Sequence, residues 1–108
     1  MPRGSRRRTK VIADLSIYPI GAGSSLSRYV RTALRAMRRV RGLRLVPAAM
    51  STAMEADDLA TILRGVRVAH DALVRMGSPR IAINFRADHR LDKAETIAYK
   101  VGRIRGVP

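Results

Sequence analysis

The chain has 108 residues, 46% of them hydrophobic, and its 22 Lys and Arg against eight Asp and Glu give a formal net charge of +14. This length predicts one domain with a single core, and the charge predicts attraction to polyanions. The absence of cysteine excludes disulfides, thiolate metal sites and cysteine nucleophiles. No apolar run reaches the roughly 18 to 20 residues of a membrane span, and no signal-peptide pattern follows the basic N-terminus, so we expect a cytoplasmic protein without a membrane partner.

Residues 1–9 are a basic segment in which Arg6, Arg7 and Arg8 follow Pro, Gly and Ser. Because this segment has almost nothing apolar to bury, we expect it to be disordered in the free protein, and residues 10–108 to form the folded domain. Clustered arginines bind phosphate without reading sequence. The segment is therefore either a phosphate-binding arm or a solvated extension.

The segment from Val11 to Tyr18 alternates between apolar and more polar side chains, which predicts a strand with two unlike faces. One face carries the core residues Val11, Ala13, Leu15 and Ile17. The other carries Ile12, Asp14, Ser16 and Tyr18, and it is polar enough to meet a ligand or a partner.

Apolar residues at steps of three and four predict a first helix over about 26–41. Ser24 or Ser25 is its expected N-cap, and Gly42 its expected end. Its exposed side carries Arg28, Arg31, Arg35, Arg38 and Arg39. The helix is therefore predicted to cover the first strand with one side and to present a basic surface with the other.

A short strand over 43–46, a bend at 47–49 and a returning strand over 50–55 are expected next. Asp57 and Asp58 supply the cap of a second helix that closes at Met76 and Gly77. Its predicted buried stripe is Leu59, Ile62, Leu63, Val66, Ala69, Leu73 and Val74.

Residues 80–88 alternate again and predict the last strand. Ile81, Ile83, Phe85 and Ala87 would face the helices, and Ala82, Asn84, Arg86 and Asp88 the opposite side. A final helix, capped by Asp92, has the apolar positions Ala94, Ile97, Ala98, Val101 and Ile104.

This order of elements predicts an α+β ferredoxin-like βαββαβ sandwich, in which a four-stranded antiparallel sheet carries two helices on one face, with an extra C-terminal helix. The other face of the sheet is predicted to be bare. It would present Asp14, Ser16 and Tyr18 beside Asn84, Arg86 and Asp88. A face of this polarity is usually a ligand surface or an oligomer seam.

Little in the sequence indicates an enzyme. Of the two histidines, His70 is best explained as a boundary or core residue of a helix, and His89 as a solvated loop residue. The sequence contains neither HExxH nor an EF-hand spacing, so no metal or cofactor is expected. Gly21 and Gly23 form only a G-x-G pair before a helix, which is a weak nucleotide-binding signal.

Four segments together resemble the thiamine-binding protein family: DLSIYPIG at 14–21, GSSLSRYV at 23–30, MSTAMEAD at 50–57 and DHRLDK at 88–93. The resemblance covers about residues 10 to 105. It implies a small ferredoxin-like domain, related to the repeats of thiamine-salvage proteins, that assembles through its sheets as a homodimer or homotetramer. It also implies binding of thiamine or its hydroxymethylpyrimidine part without catalysis.

The resemblance and the strand alternation together predict a ligand site formed by Asp14, Ser16, Tyr18, Thr52, Glu55, Asn84 and Asp88. Asn84, Ser16 and Thr52 would hydrogen-bond the pyrimidine edge. Asp14, Glu55 or Asp88 would lie by the cationic thiazolium, and Tyr18 would stack on a ring. A phosphorylated thiamine would place Arg86 or Arg90 on its phosphate. In the alternative interpretation these side chains only pair across an oligomer interface.

A second hypothesis is a structural or oligomeric protein that binds RNA or DNA without sequence preference. Its contacts would be Arg6, Arg7, Arg8, Arg31, Arg35 and Arg38. Of the four aromatic residues, only Tyr18 is predicted on the polar sheet face, which disfavours an RNA-recognition domain that stacks bases. Electrostatic binding would weaken steeply with salt, whereas thiamine binding would not.

Overall fold

The computed structural model describes residues 9–105; the predicted basic segment up to residue 8 lies outside the described residues. The strands are β1 (Val11–Pro19), β2 (Arg44–Pro47), β3 (Thr52–Ala56) and β4 (Ile81–His89). The helices are α1 (Ser27–Met37), α2 (Leu59–Arg75) and α3 (Ile97–Ile104).

The four strands form one antiparallel sheet in the order β2-β3-β1-β4. α1 and α2 pack side by side on one face of it. This is the ferredoxin-like arrangement, and it confirms the predicted fold class. β1 pairs with β4 along all of Val11–Pro19 but with β3 only from Val11 to Leu15. The second half of β1 therefore has a strand neighbour on one side only.

The core lies between the sheet and the first two helices. Val11, Ala13 and Leu15 of β1 are buried there, as the alternation predicts. The largest side chains with almost no exposed surface around them are Met37, Met54, Ile62 and Leu73. One hydrophobic cluster thus joins both helices to the two central strands.

Gly65 brings α2 unusually close to the sheet. A Cβ atom at this position would lie 2.6 Å from Leu43 Cδ2 and 2.9 Å from Met54 Cε, closer than carbon atoms pack. Glycine in a helix interior costs roughly 1 kcal/mol relative to alanine. Here that cost is offset by the close approach of α2 to β3.

The buried side of α2 differs from the predicted stripe. Leu59, Leu63 and Val74 are about half exposed, whereas Gly65 and Ala72 are buried. A helix that packs closely against both α1 and the sheet turns its small residues inward, because large ones would hold the layers apart. The prediction relied on the large apolar residues, and it therefore placed the buried side of α2 partly on the wrong side of the helix.

Three helix ends also differ from the prediction. α1 begins after Leu26, which makes no side-chain capping bond, and ends at Met37 rather than near residue 41. The apolar pattern continues to Val40 because that side chain is buried in the turn that follows α1. α3 is capped by Thr96, whose hydroxyl accepts from the N–H of Tyr99 at 3.0 Å, instead of by Asp92.

Candidate functional site

The sheet face opposite α1 and α2, which we call the uncovered face, carries four of the predicted site residues toward one end. Asp14 lies directly opposite Arg86 of β4, and Ser16 lies opposite Asn84. The Asp14 carboxylate is 3.6 Å from the Arg86 guanidinium, whose side chain is largely exposed. Tyr18 follows on the same face, opposite the small side chain of Ala82.

Ser51 belongs to the same group and was missed from the sequence. Its hydroxyl donates a hydrogen bond of 2.5 Å to Asp14 Oδ1. Ala53 pairs with Asp14, and Ser51 lies two residues before Ala53. The two-residue period of a strand therefore places the side chains of Ser51 and Asp14 on the same face. Strand alternation alone could have identified it. We call Asp14, Ser16, Ser51 and Asn84 the open end of the uncovered face.

Glu55 and Asp88 lie at the other end of this face, where they contact α3, so this end is not bare as predicted. Glu55 and Asp88 both lie opposite Ile12, on either side of β1. The buried Glu55 carboxylate accepts from the N–H of Ile97 at 2.8 Å, and Asp88 accepts from Lys100 Nζ at 3.2 Å. Both carboxylates therefore already have partners. We call Glu55, Asp88 and the residues of α3 that contact them the anchored end.

A buried carboxylate strengthens the anchored end. Glu95 is 5% exposed and lies 3.7 Å from Arg90 and 3.6 Å from Lys100. The hydrogen bond to Asp88, and then the charge of Glu95, raise the pKa of Lys100. Arg90 also donates two hydrogen bonds to Asp92, at 2.8 and 2.5 Å, which lower the pKa of Asp92 to about 2. Arg90 is thereby held by two acids of its own segment.

Thr52 lies on the opposite face of the sheet from the other predicted site residues. It pairs with Leu15, is buried, and lines a cavity between the end of β1, α1 and the β2–β3 hairpin. The cavity has a volume of about 110 Å³. Its walls are mostly aliphatic, and its lining residues are Leu15, Ser16, Ile17, Val30, Ala33, Leu34, Met37, Ala48, Ala49, Met50, Ser51 and Thr52.

The backbone of Ile17 borders this cavity without a strand partner on that side. The N–H of Ile20 donates to the carbonyl of Arg80 at 2.8 Å, on the β4 side. Backbone groups of an antiparallel strand alternate in direction, so those of Ile17 point to the β3 side, where pairing has stopped at Leu15. Ser16 and Ser51 line the cavity and also belong to the open end, so the cavity and the polar group adjoin.

The remaining candidates lie away from this site. His89 pairs with Val11 at the far end of β1, with its Nε2 3.1 Å from the Thr9 hydroxyl. His70 lies on α2 beside Asp71. Within residues 9–105, no group of three or more His, Asp or Glu is placed to hold a metal ion, and no helix is long and apolar enough to cross a membrane.

The arginines of the polyanion hypothesis divide between described and undescribed residues. Arg31 and Arg35 are exposed on α1, and Arg38 is exposed at its C-cap. The N-terminal members of the set, Arg6, Arg7 and Arg8, lie outside the described residues. The α1 arginines lie on the helix layer, across the sheet from the open end.

With this geometry established, comparisons with known proteins decide the family. The family model described as thiamine-binding protein matches residues 13–105. The chain belongs to the thiamine-binding protein family. It is 32% identical over 96 residues to a UPF0045 protein of Methanothermobacter thermautotrophicus, covering 88% of this chain and 96% of the relative. A UPF0045 protein of Methanocaldococcus jannaschii is 35% identical over 95 residues, covering 88% and 92% of the two chains.

Two solved structures have the same topology. The crystal structure of a hypothetical protein from M. jannaschii matches with a TM-score of 0.80 at 35% identity, covering 88% of this chain and 95% of that chain. A putative thiamine biosynthesis/salvage protein from Thermotoga maritima matches with a TM-score of 0.71 at 18% identity, covering 89% and 99%. At that identity the second likeness bears on the fold alone.

Proposed function

We propose that this member of the thiamine-binding protein family is a non-catalytic binding protein for thiamine or its hydroxymethylpyrimidine part. The pyrimidine ring would occupy the cavity at the end of β1, and the cationic thiazolium would lie by Asp14. One observation carries the proposal: an aliphatic cavity adjoins a group of hydrogen-bonding side chains at the point where β1 loses its β3 neighbour.

The size of the cavity supports one ring rather than two. An engineered apolar cavity of roughly 150 Å³ binds benzene. At about 110 Å³, the cavity suits a single ring that is partly seated. The aliphatic side chains of Val30, Leu34 and Met37 would contact its faces. The second ring of thiamine would then extend past Met50, which is 86% exposed in the β2–β3 hairpin.

The polar groups at the cavity suit the edge of an aminopyrimidine. That edge places an acceptor ring nitrogen beside a donor amino group. The backbone of Ile17 offers a donor N–H and an acceptor carbonyl on the cavity side. The hydroxyl of the buried Thr52 adds a group that both donates and accepts. Such a pairing would satisfy backbone groups that have no strand neighbour there.

Asp14 is the carboxylate that supports binding of the cation. Its side chain is 36% exposed, and Ser51 fixes one of its oxygens. The other two predicted acids, Glu55 and Asp88, already have partners in α3. A cation beside Asp14 would compete with the exposed Arg86, whose 3.6 Å ion pair is weak in water.

The positions of the histidines support a binding role rather than catalysis. Ser16, Ser51 and Thr52 bring hydroxyls to the cavity, and of these Ser51 donates to the Asp14 carboxylate, which the proposal assigns to the cation. His89 lies at the opposite end of β1, and His70 points to Asp71 on α2.

Self-association through the sheets, as a dimer or tetramer, is also part of the proposal, and light scattering of the purified protein tests it.

Titration calorimetry with thiamine and with hydroxymethylpyrimidine tests the ligand and its orientation. We expect both compounds to bind the unaltered protein. Asp14→Asn should weaken thiamine binding about tenfold, because charges 4 Å apart near a surface interact by roughly 1 to 4 kcal/mol. It should leave hydroxymethylpyrimidine binding unchanged, since that compound carries no thiazolium.

Asp92→Asn is the matched control, because it removes one negative charge at an exposed position away from the cavity. It should leave both affinities unchanged. An equal loss for the two compounds in Asp14→Asn would refute the orientation. Absence of saturable binding by either compound to the folded, unaltered protein would refute the proposed function.

A further inference from the structure

A second concave surface lies on the helix layer, between α1 and α2. It is a groove of about 250 Å³. Three arginines line it, Arg35 from α1, Arg39 from the turn that follows α1, and Arg75 from α2, together with the small side chains of Ala36 and Ala72. The groove is separate from the cavity at the end of β1, with which it shares no lining residue.

The charge around this groove is almost entirely positive. Between Leu26 and Pro47 the sequence has seven arginines and no acidic residue. Asp71 is the one acid within α1 and α2, and it lies 3.7 Å from Arg67 and 3.1 Å from His70. Among the described residues, the three groove arginines have no acidic partner.

Unneutralised arginines in one groove indicate an anionic ligand. Like charges held together destabilise a folded chain unless a counter-charge binds them. The guanidinium group presents a planar set of donors that matches phosphate oxygens in bidentate fashion. At every position of α1 and α2 where the chain has Lys or Arg, the residue is arginine. The groove therefore suits phosphate better than a diffuse negative charge.

We propose that the groove between α1 and α2 binds the phosphate backbone of double-helical nucleic acid without reading its sequence. Single strands are usually held by aromatic side chains on which the bases stack. None of the residues that line the groove is aromatic, and Tyr29, the aromatic residue of α1, is half-buried with Arg28 over its ring. A duplex keeps its bases paired inside and presents phosphates outside, which is what this surface can contact.

The arrangement of arginines on α1 fits an extended ligand. Arg28 and Arg35 lie seven residues, or about two helical turns, apart on one side of α1, which separates them by about 10 Å along the helix axis. Arg39 extends this row from the turn after α1. Several phosphates of one backbone could contact such a row together with Arg75.

Fluorescence anisotropy with a random-sequence duplex tests this inference on the full chain. The groove variant is Arg35→Gln/Arg39→Gln/Arg75→Gln. The control variant, Arg80→Gln/Arg103→Gln/Arg105→Gln, removes the same charge from exposed positions outside the helix layer. We expect the groove variant to lose roughly tenfold in affinity at 0.1 M salt for each phosphate contact removed, and its log affinity against log salt to flatten by about 0.9 per contact.

The control variant should retain most of the affinity and nearly all of the salt slope. Equal losses in the two variants would overturn the proposal, because binding would then follow net charge alone. So would tighter binding to the single strand than to the duplex, or no salt-dependent binding at all. Circular dichroism melting curves of both variants check that each is folded.

Discussion

Both ends of the uncovered sheet face carry carboxylates, but the two ends differ in how far those carboxylates are exposed and in which groups they already bind. At the open end, the Asp14 side chain is 36% exposed, and its partners are Ser51 and the largely exposed side chain of Arg86. At the anchored end, Glu55 is buried and accepts a backbone N–H from α3. A carboxylate on a bare sheet face is thus available to a ligand only where no other segment of the chain has already used it.

Removing the core beneath both ends should have the largest effect. Met54 has no exposed surface, so Met54→Ala should lower the free energy of unfolding by roughly 2 to 5 kcal/mol through lost contacts and a new cavity. Chemical denaturation followed by far-UV circular dichroism measures this. Met50→Ala, at the exposed hairpin position, should cost close to nothing. If Met54→Ala were as mild as Met50→Ala, the two ends would not share one core.

Removing one carboxylate at each end should affect α3 at the anchored end and leave it unchanged at the open end. Glu55→Ala deletes a buried charged acceptor, and a hydrogen bond to a charged group contributes about 1.5 to 3 kcal/mol. Amide hydrogen exchange in α3, at Ile97 above all, should accelerate by at least tenfold. Asp14→Ala is the matched change at the open end and should leave exchange in α3 unaltered. Faster exchange of α3 in both variants would show that the two ends are coupled.

Acid should weaken the contact between Arg90 and Asp92, in the segment that leads into α3, with the smallest effect of the three. The bond from Arg90 lowers the pKa of Asp92 to about 2 from the ordinary 3.8. A group whose pKa is depressed by folding contributes stability above its unfolded pKa and loses it as the pH falls through the folded value. The contribution should therefore disappear between about pH 4 and about pH 2. Carboxyl chemical shifts measured by NMR across this window check it, and an Asp92 that titrates at its ordinary pKa would contradict it.

The alternation of strand side chains was enough to predict most of the uncovered face. Asp14, Ser16 and Asn84 do come together, because a period of two fixes the face and the ferredoxin-like order places β4 beside β1. The same rule could have separated Thr52 from Glu55, since residues three apart in a strand point to opposite faces. It could also have identified Ser51.

The anchored end could not be predicted in this way. The bond between Glu55 and the N–H of Ile97 joins residues 42 positions apart, and it depends on where the last helix begins. Asp is a residue type that commonly caps helices, but the Asp92 carboxylate accepts two hydrogen bonds from Arg90 instead. Thr96, four residues later, caps α3. Which partner a side chain binds depends on its position in the folded structure, and the helix propensities of residue types give no information on that position.

Gly65 links three positions that are distant in sequence. The space that a Cβ at 65 would need is already filled by the ends of Leu43 and Met54. These three positions share one fixed volume, so a homologous sequence that gains a side chain at 65 should carry a smaller residue at 43 or 54. Packing of this kind couples substitutions in evolution, because a side chain at 65 requires the ends of Leu43 and Met54 to shift.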